Sequence, residues 1–317
     1  MAVDCLSVGI LVADHLCAPI ARVPKAGELI LAESLPLCPG GCALNAAVDL
    51  AKVGVQVGVI GCVGDDTFGS YLIDVLDRAG ADTSGIRRDS KVETSGSLII
   101  NVHGEDRRYI HAIGASASLR PEDILLERVR SAKVLYVGGY LLMQGLLNGA
   151  LTPVFRAARA AGVITALDVV LPGPGDHWKQ LEGLLSETDI FLPNADEAAA
   201  ITGLDDPVAQ ADRFREAGAK TVVITCGERG TVLVNDRVRL RAGVFPVNYV
   251  GGTGSGDAFD AGYIAGLLAG GDERQCLAWG SALGASCVRA VGATEGVFNK
   301  AEAEAFLAEQ HLAIDEL

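Results

Sequence analysis

The sequence predicts an α/β fold: a parallel sheet with helices on both faces and a small antiparallel sheet standing off the main body. Three observations lead there. Short, β-rich runs alternate with longer helical patterns, as strand–helix–strand units do. Several of those runs are apolar at every position, as strands covered on both faces are. Two segments in the N-terminal third break the alternation.

The elements follow in order. Strands are expected at 6–14 (LSVGILVAD), 56–64 (QVGVIGCVG), 132–139 (AKVLYVGG), 162–169 (GVITALDV), 189–194 (DIFLPN) and 220–227 (KTVVITCG). Helices are expected at 43–54, 67–80, 151–162 and 207–218. Each helical stretch ends at a glycine, which takes the left-handed conformation that closes a helix. The interrupting segments are 15–39, with its prolines and short extended pieces, and 94–118. The latter reads as a hairpin, SLIINV and RRYIHAI, about a turn at His103–Asp106. These strands are apolar enough to need a covering partner, so both segments are read as one inserted lid. No internal repeat or low-complexity linker divides the chain, so residues 1–317 are read as a single domain.

Composition narrows the function. Half of the 317 residues are hydrophobic and 5% aromatic, enough to bury a large aliphatic core. Lys and Arg total 26 against 40 Asp and Glu, a net charge of −14. That balance argues against binding nucleic acid or an anionic membrane through bulk charge. No apolar run is long enough to suggest a membrane span. The opening lacks the basic start of a signal peptide, so a cytoplasmic location is expected. The eight cysteines show no disulfide framework and are expected to be reduced packing residues.

The densest chemical signal is VGGTGSGDAFDAG, from Val250. It contains no GxxxxGK[ST], it breaks the GxGxxG fingerprint at its last glycine, and it lacks GxSxG. A purely structural turn remains open. The residues after it repeat apolar side chains at helical spacing, Phe259, Tyr263 and Leu267, so the loop opens a helix. The first N–H groups of a helix lack internal partners and the dipole is positive there. Gly254, Ser255 and Gly256 carry little bulk, so those N–H groups can close on an anion. Asp257 then sits beside the anion, placed to take a proton from an attacking hydroxyl, the pairing that phosphoryl transfer needs. Asp260, one turn on, reads as a solvated or capping carboxylate.

Other groupings are weaker alone. Gly40 and Gly41 open a helix that carries Asn45, an amide offered to a polar ligand. Asp14 ends the first apolar run, where α/β folds place ligands and where turn residues are equally common. Asn194 and Glu197 stand at a strand end, with oxygens suited to Mg²⁺ and spacing close to a capping box; both readings stand together. Thr225, Gly227 and Gly230 form a turn that suits either a nucleotide phosphate or a simple hairpin.

In order and spacing, GGCALNAAVDLAKVG, GCVGDDTFG, LPNADEAAAITG, VVITCGERG and GTGSGDAFDAG resemble the ribokinase-like, or PfkB, carbohydrate kinase family over essentially the whole chain. The resemblance implies a doubly wound α/β domain with a β lid, and transfer of the ATP γ-phosphate to a substrate hydroxyl. It implies Asp257 as base and Gly254, Ser255 and Gly256 as anion hole. Asn194 and Glu197 would act near Mg²⁺ through water, and Thr225, Gly227 and Gly230 would line the ATP site. Asp14, Gly40, Gly41 and Asn45 would hold a sugar or polyol. A homodimer through the lid is also implied.

Departures are specific. Gly251 and Gly252 replace an Asp-Thr pair whose Asp helps hold a monovalent cation in the ribokinase branch, so the sequence lends that cation no support. Val12, Cys42 and Leu146 replace an Asn, a Lys and a Glu, which argues against ribose. Two alternatives accompany the sugar kinase: a nucleoside kinase, with Tyr109 available to a base, and a non-catalytic sugar-binding or regulatory protein. A phosphorylated acceptor would need Arg107 or Arg108 turned inward.

Overall fold

The structure, a computed structural model, describes residues 3–105 and 108–317. Asp106 and Arg107, in the expected hairpin, lie outside the described residues. Strands β1 (Cys5–Gly9), β2 (Val12–Ile20) and β3 (Leu37–Gly40) lead into helix α1 (Cys42–Lys52). Then come β4 (Val57–Gly64), α2 (Thr67–Arg78), β5 (Asp82–Asp89), β6 (Ser95–Val102) and β7 (Arg108–Ala112). The middle of the chain runs α3 (Leu126–Ser131), β8 (Val134–Gly138), α4 (Thr152–Ala160), β9 (Ile164–Leu167), α5 (Trp178–Leu185), β10 (Ile190–Phe191), α6 (Ala195–Thr202), α7 (Pro207–Glu216) and β11 (Thr221–Thr225). It ends with β12 (Thr231–Val234), β13 (Arg239–Ala242), α8 (Ser255–Leu268), α9 (Glu273–Cys287), α10 (Lys300–Glu309) and β14 (Ile314–Glu316).

The main sheet has the order β14-β13-β12-β11-β10-β9-β8-β1-β4-β5. From β11 to β5 the pairings are parallel; β12, β13 and β14 add an antiparallel edge. Period-two alternation sends successive side chains to opposite faces. In β8, Leu135 and Val137 pack with α3 to α7, while Val134 and Tyr136 pack with α1, α2 and α8 to α10. That two-sided cover explains why β4 and β8 are buried at every position. The four glycine-terminated helices are as expected: Gly54, Gly80, Gly162 and Gly218 all have positive φ.

One expected strand divides. The run 6–14 is not continuous: β1 ends at Gly9, and β2 begins at Val12 in a second sheet of order β3-β2-β6-β7. A Cβ at Gly9 would overlap the carbonyl of Gly138, so the chain passes β8 there at a distance only glycine permits. Asp14 therefore belongs to the small sheet and does not end a strand of the main one. The small sheet is also mixed, because β2 pairs with β6 in parallel. Its first strand starts at Val12, before position 15, and residues 21–36 hold neither helix nor strand.

Strand order positions the site. From β1 the chain moves outward to β4 and β5, then returns to β8 on the other side of β1. Parallel α/β sheets bind ligands outside the carboxyl ends of the strands where the order reverses. Here that crevice lies beyond Gly9 and Gly138.

Candidate active site

Four elements converge on the crevice. Helix α1 starts at Gly41 and brings Cys42 and Asn45 in its first turn. Helix α8 starts at Gly254 and brings Ser255, Gly256 and Asp257. Strand β9 ends one residue before Asp168, and β2 of the small sheet supplies Asp14. The N-cap Gly254 is left-handed (φ 79°), and a Cβ there would overlap Ala293. Only glycine allows this sharp entry into a helix that is buried along most of its length.

The central contact joins the two helices. Asn45 Nδ2 donates to Asp257 Oδ2 at 2.8 Å. Cys42 Sγ and one carboxylate oxygen each of Asp168 and Asp257 lie within 4.8 Å of one another. The backbone N–H of Gly139 donates to Asp168 Oδ2 at 3.0 Å. Above them, a Cβ on Gly40 would overlap the Asp14 carboxylate, so the absent side chain of Gly40 is the space that Asp14 occupies. Two acceptors in this space have no hydrogen-bond partner: Asp14 Oδ1 and Asn45 Oδ1. Their residues are 7% and 3% exposed.

Electrostatics tie the set together. Burial raises the Asp257 carboxyl above the usual carboxylate range, while the Asn45 hydrogen bond opposes the shift. Burial, then the hydrogen bond from Asn194 N–H working against it and the charge of Asp257 adding to it, puts Glu197 at about 7. Asp14 is pushed up to about 6, chiefly by burial; a hydrogen bond with Ser97 works against the shift and the charge of Asp257 adds to it. Asp168 is held well above its ordinary value by burial and by the charges of Glu197 and Asp257.

Each expected site residue has a definite place. Asn194 and Glu197 form a reciprocal capping box at the start of α6: Glu197 N–H donates to Asn194 Oδ1 at 2.9 Å, and Asn194 N–H to Glu197 Oε2 at 3.0 Å. Asn194 bridges Thr225 in parallel, beside β11. Gly227 and Gly230 flank the turn that reverses β11 into the antiparallel β12, so the hairpin reading of that segment is structurally correct. Asp14 thus meets Gly40, and Asn45, in the helix that Gly41 opens, meets Asp257; Asp14 and Glu197 are each coupled to Asp257 by charge. Thr225, Gly227 and Gly230 stand further along the sheet edge.

Four residues escaped the sequence reading. Asp168 follows the last apolar residue of β9, a signal legible in the sequence. Cys42 was read as a replaced lysine, without its position against two carboxylates. Asp260 is not solvated: it is 2% exposed, and Tyr136 Oη donates to its Oδ2 at 2.9 Å. Asp49, one turn beyond Asn45, is fully buried with both carboxylate oxygens unpartnered. No local pattern marks the last two, since only the packing of α1 and α8 against the sheet buries them.

A separate cleft of about 950 Å³ opens at the amino ends of β9, β10 and β11. Its side chains already pair with one another, Arg156 with Glu187 and Lys220 with Asp189. All eight cysteines are free, and seven are buried. Among the described residues no helix is long and apolar enough to cross a membrane.

Known proteins resemble this arrangement. The model of the family described as pfkB family carbohydrate kinase matches residues 4–301. A ribokinase of Haemophilus influenzae is 29% identical over 306 residues, covering 95% of this chain and 97% of that protein. A 5-dehydro-2-deoxygluconokinase of Photobacterium profundum is 28% identical over 282 residues, covering 82% of this chain and 84% of that protein. Among solved structures, Arabidopsis thaliana ribokinase complexed with ribose and ATP superposes with a TM-score of 0.85 at 25% identity, over 97% of this chain and 99% of that one.

Proposed function

Because the chain belongs to the pfkB family of carbohydrate kinases, we propose that it transfers the γ-phosphoryl group of ATP to a hydroxyl of a small sugar, with Asp257 as the base. The observation that carries this reading is the Asn45–Asp257 hydrogen bond at the start of α8. It aims a carboxylate at the mouth of a helix N-terminus, where N–H groups and dipole favour the charge that develops on a transferring phosphoryl group.

The roles follow from position. The acceptor hydroxyl sits between Asp14 and Asp257 and gives its proton to Asp257 as its oxygen attacks phosphorus. Gly254, Ser255 and Gly256 present the first-turn N–H groups to the phosphoryl oxygens. Asn45 holds the Asp257 carboxylate toward the acceptor. Thr225, Gly227 and Gly230 border the nucleotide. Burial raises both Asp168 and Glu197; the charges of Glu197 and Asp257 add to the shift of Asp168, and that of Asp257 adds to the shift of Glu197. Both carboxylates are oxygen donors of the kind that Mg²⁺ takes. Asn194 and Glu197 would reach Mg²⁺ through water, and the metal, bound with ATP, would supply positive charge beside the phosphates.

The small sheet is read as the lid of one continuous domain. Leu29, Leu31, Leu35 and Ile110 are each more than 60% exposed on or beside it. A second copy of the chain covering them accounts for that apolar surface, and the homodimer is read on that basis. Gly251 and Gly252 bring no carboxylate to the loop before α8, so these two positions lend a monovalent cation no support.

The direct test is ADP release against a sugar panel with the wild type and Asp257→Asn. A positioned base contributes ~10² to 10⁴-fold in rate, so kcat falls by that order while ATP still binds. Near-wild-type turnover by the variant would remove Asp257 from this role.

A further inference from the structure

The register of the lid extends the site beyond Asp14. On β2, Asp14 pairs with Cys38 of β3 and with Ser97 of β6. On β6, Ser97 in turn pairs with His111 of β7. Directly paired residues share a face of the sheet. The hydrogen bond of 3.0 Å between Ser97 Oγ and His111 Nδ1 places those two side chains together. Because Asp14 occupies the space over Gly40 and is coupled by charge to Asp257, this row hangs over the floor made by Cys42, Asn45 and Asp257.

The site calls for donors. Asp14 Oδ1 and Asn45 Oδ1 are buried and unpartnered, one on the lid and one on the floor. A buried acceptor without a partner carries its desolvation cost until a donor arrives. Sugar hydroxyls donate; phosphate and carboxylate groups at neutral pH bring acceptors and negative charge. The strongest charge effects on Asp14, Asp168 and Glu197 come from other carboxylates. Partial desolvation lowers the His111 pKa, which disfavours the charged form of its ring. Arg108 lies three residues before His111, is exposed, and is paired with Glu105.

We propose, resting on the sugar-kinase reading above, that the acceptor is an uncharged, hydroxyl-rich sugar read from the lid by Asp14, Ser97 and His111, and that phosphorylated and carboxylated sugars are excluded. Asp14 accepts from one acceptor hydroxyl. Ser97 fixes the His111 ring, which meets a second hydroxyl at the lid's outer strand. Like charges brought together in such a site cost enough to discriminate by two or more orders of magnitude.

The test has two arms on the full-length enzyme. ADP release is measured with neutral pentoses, hexoses and polyols, with their terminal phosphates, and with uronic and aldonic acids. The neutral set is expected to give the highest kcat/KM, with the anionic sets at least about 100-fold lower. In parallel, Ser97→Ala and His111→Ala are compared with His111→Gln. Each alanine variant is expected to raise the acceptor KM roughly tenfold, the worth of a lost hydrogen bond, with the ATP KM unchanged. His111→Gln should recover part of that loss, which a merely structural role would not. An anionic sugar as the best acceptor, or an unchanged acceptor KM in both alanine variants, overturns the proposal. Absence of ADP release with every acceptor would instead defeat the kinase reading, and calorimetric binding of the same panel would still decide the preference for neutral sugars.

Discussion

Asn45 and Asp257, 212 positions apart in sequence, are joined by a hydrogen bond of 2.8 Å between the first turns of two helices. Both helices begin at glycines with positive φ, Gly41 and Gly254. The same device, a tight glycine entry into a buried helix, is thus used twice to bring one amide to one carboxylate. Asn45→Ala should leave Asp257 less well aimed. A hydrogen bond to a charged group is worth about 1.5–3 kcal/mol, so kcat should fall roughly 10- to 100-fold with little change in the ATP KM. Steady-state kinetics in both substrates would check it; an unchanged kcat would separate Asn45 from the base.

Gly40→Ala probes space. The new methyl group meets the Asp14 carboxylate, which must move out of its place. The acceptor KM should rise by at least tenfold, while ATP binding measured by calorimetry stays within twofold. Equal losses in both would show that the change is global.

Gly254→Ala probes conformation. A side chain at φ 79° carries strain of about 1–3 kcal/mol, and the methyl also meets Ala293. Thermal unfolding should shift downward accordingly, and kcat should fall with it because the first-turn N–H groups move. Gly256→Ala is the control, since nothing lies within 4 Å of a Cβ there. It should retain the wild-type melting temperature.

Asp14 and Glu197 make the site sensitive to pH. Their folded-state values, about 6 and about 7, lie above the usual carboxylate values near 4. A carboxyl with a raised folded pKa contributes stability at low pH that is lost as pH rises from its unfolded to its folded value. These groups should therefore lower the melting temperature of the ligand-free protein between about pH 4 and 7. Asp14→Asn and Glu197→Gln should each flatten that slope. In catalysis the sign is opposite, because the site works ionised. The acid limb of kcat/KM should have its midpoint near 6 to 7, and a midpoint near 4 would contradict it.

Leu31→Asp tests the exposed apolar surface beside the lid, where Leu31 is 86% exposed. Light scattering should show a dimer for the wild type and a monomer for the variant, with the far-UV spectrum unchanged. A wild-type monomer would dismiss the lid interface.

Periodicity made the sheet legible. Fully apolar runs separated by glycine-ended helices describe strands covered on both faces, and β4, β8, β9 and β11 lie where such runs stand. The run 6–14 misled because a strand entering the small sheet is as apolar as the one it leaves. Only the contact between Gly9 and Gly138 shows where the chain turns. Asp260 misled for a related reason: helix position alone suggests a solvated acid, whereas α8 is surrounded and its Asp260 is met by Tyr136 from β8.

What the sequence determined by itself is local: which runs extend, which coil, where glycine must stand, and that an acid follows the last glycine of an anion-binding turn. Those properties depend on backbone sterics and side-chain spacing within about twenty residues. What the tertiary structure alone decided is the company each acid keeps. Asp14, Asp168, Glu197 and Asp257 come from four distant segments; burial raises all four, and the charge of neighbouring carboxylates adds to the shifts of Asp14, Asp168 and Glu197. Desolvation and Coulomb interaction act through space, so no stretch of sequence holds them until the sheet has brought its strand ends together.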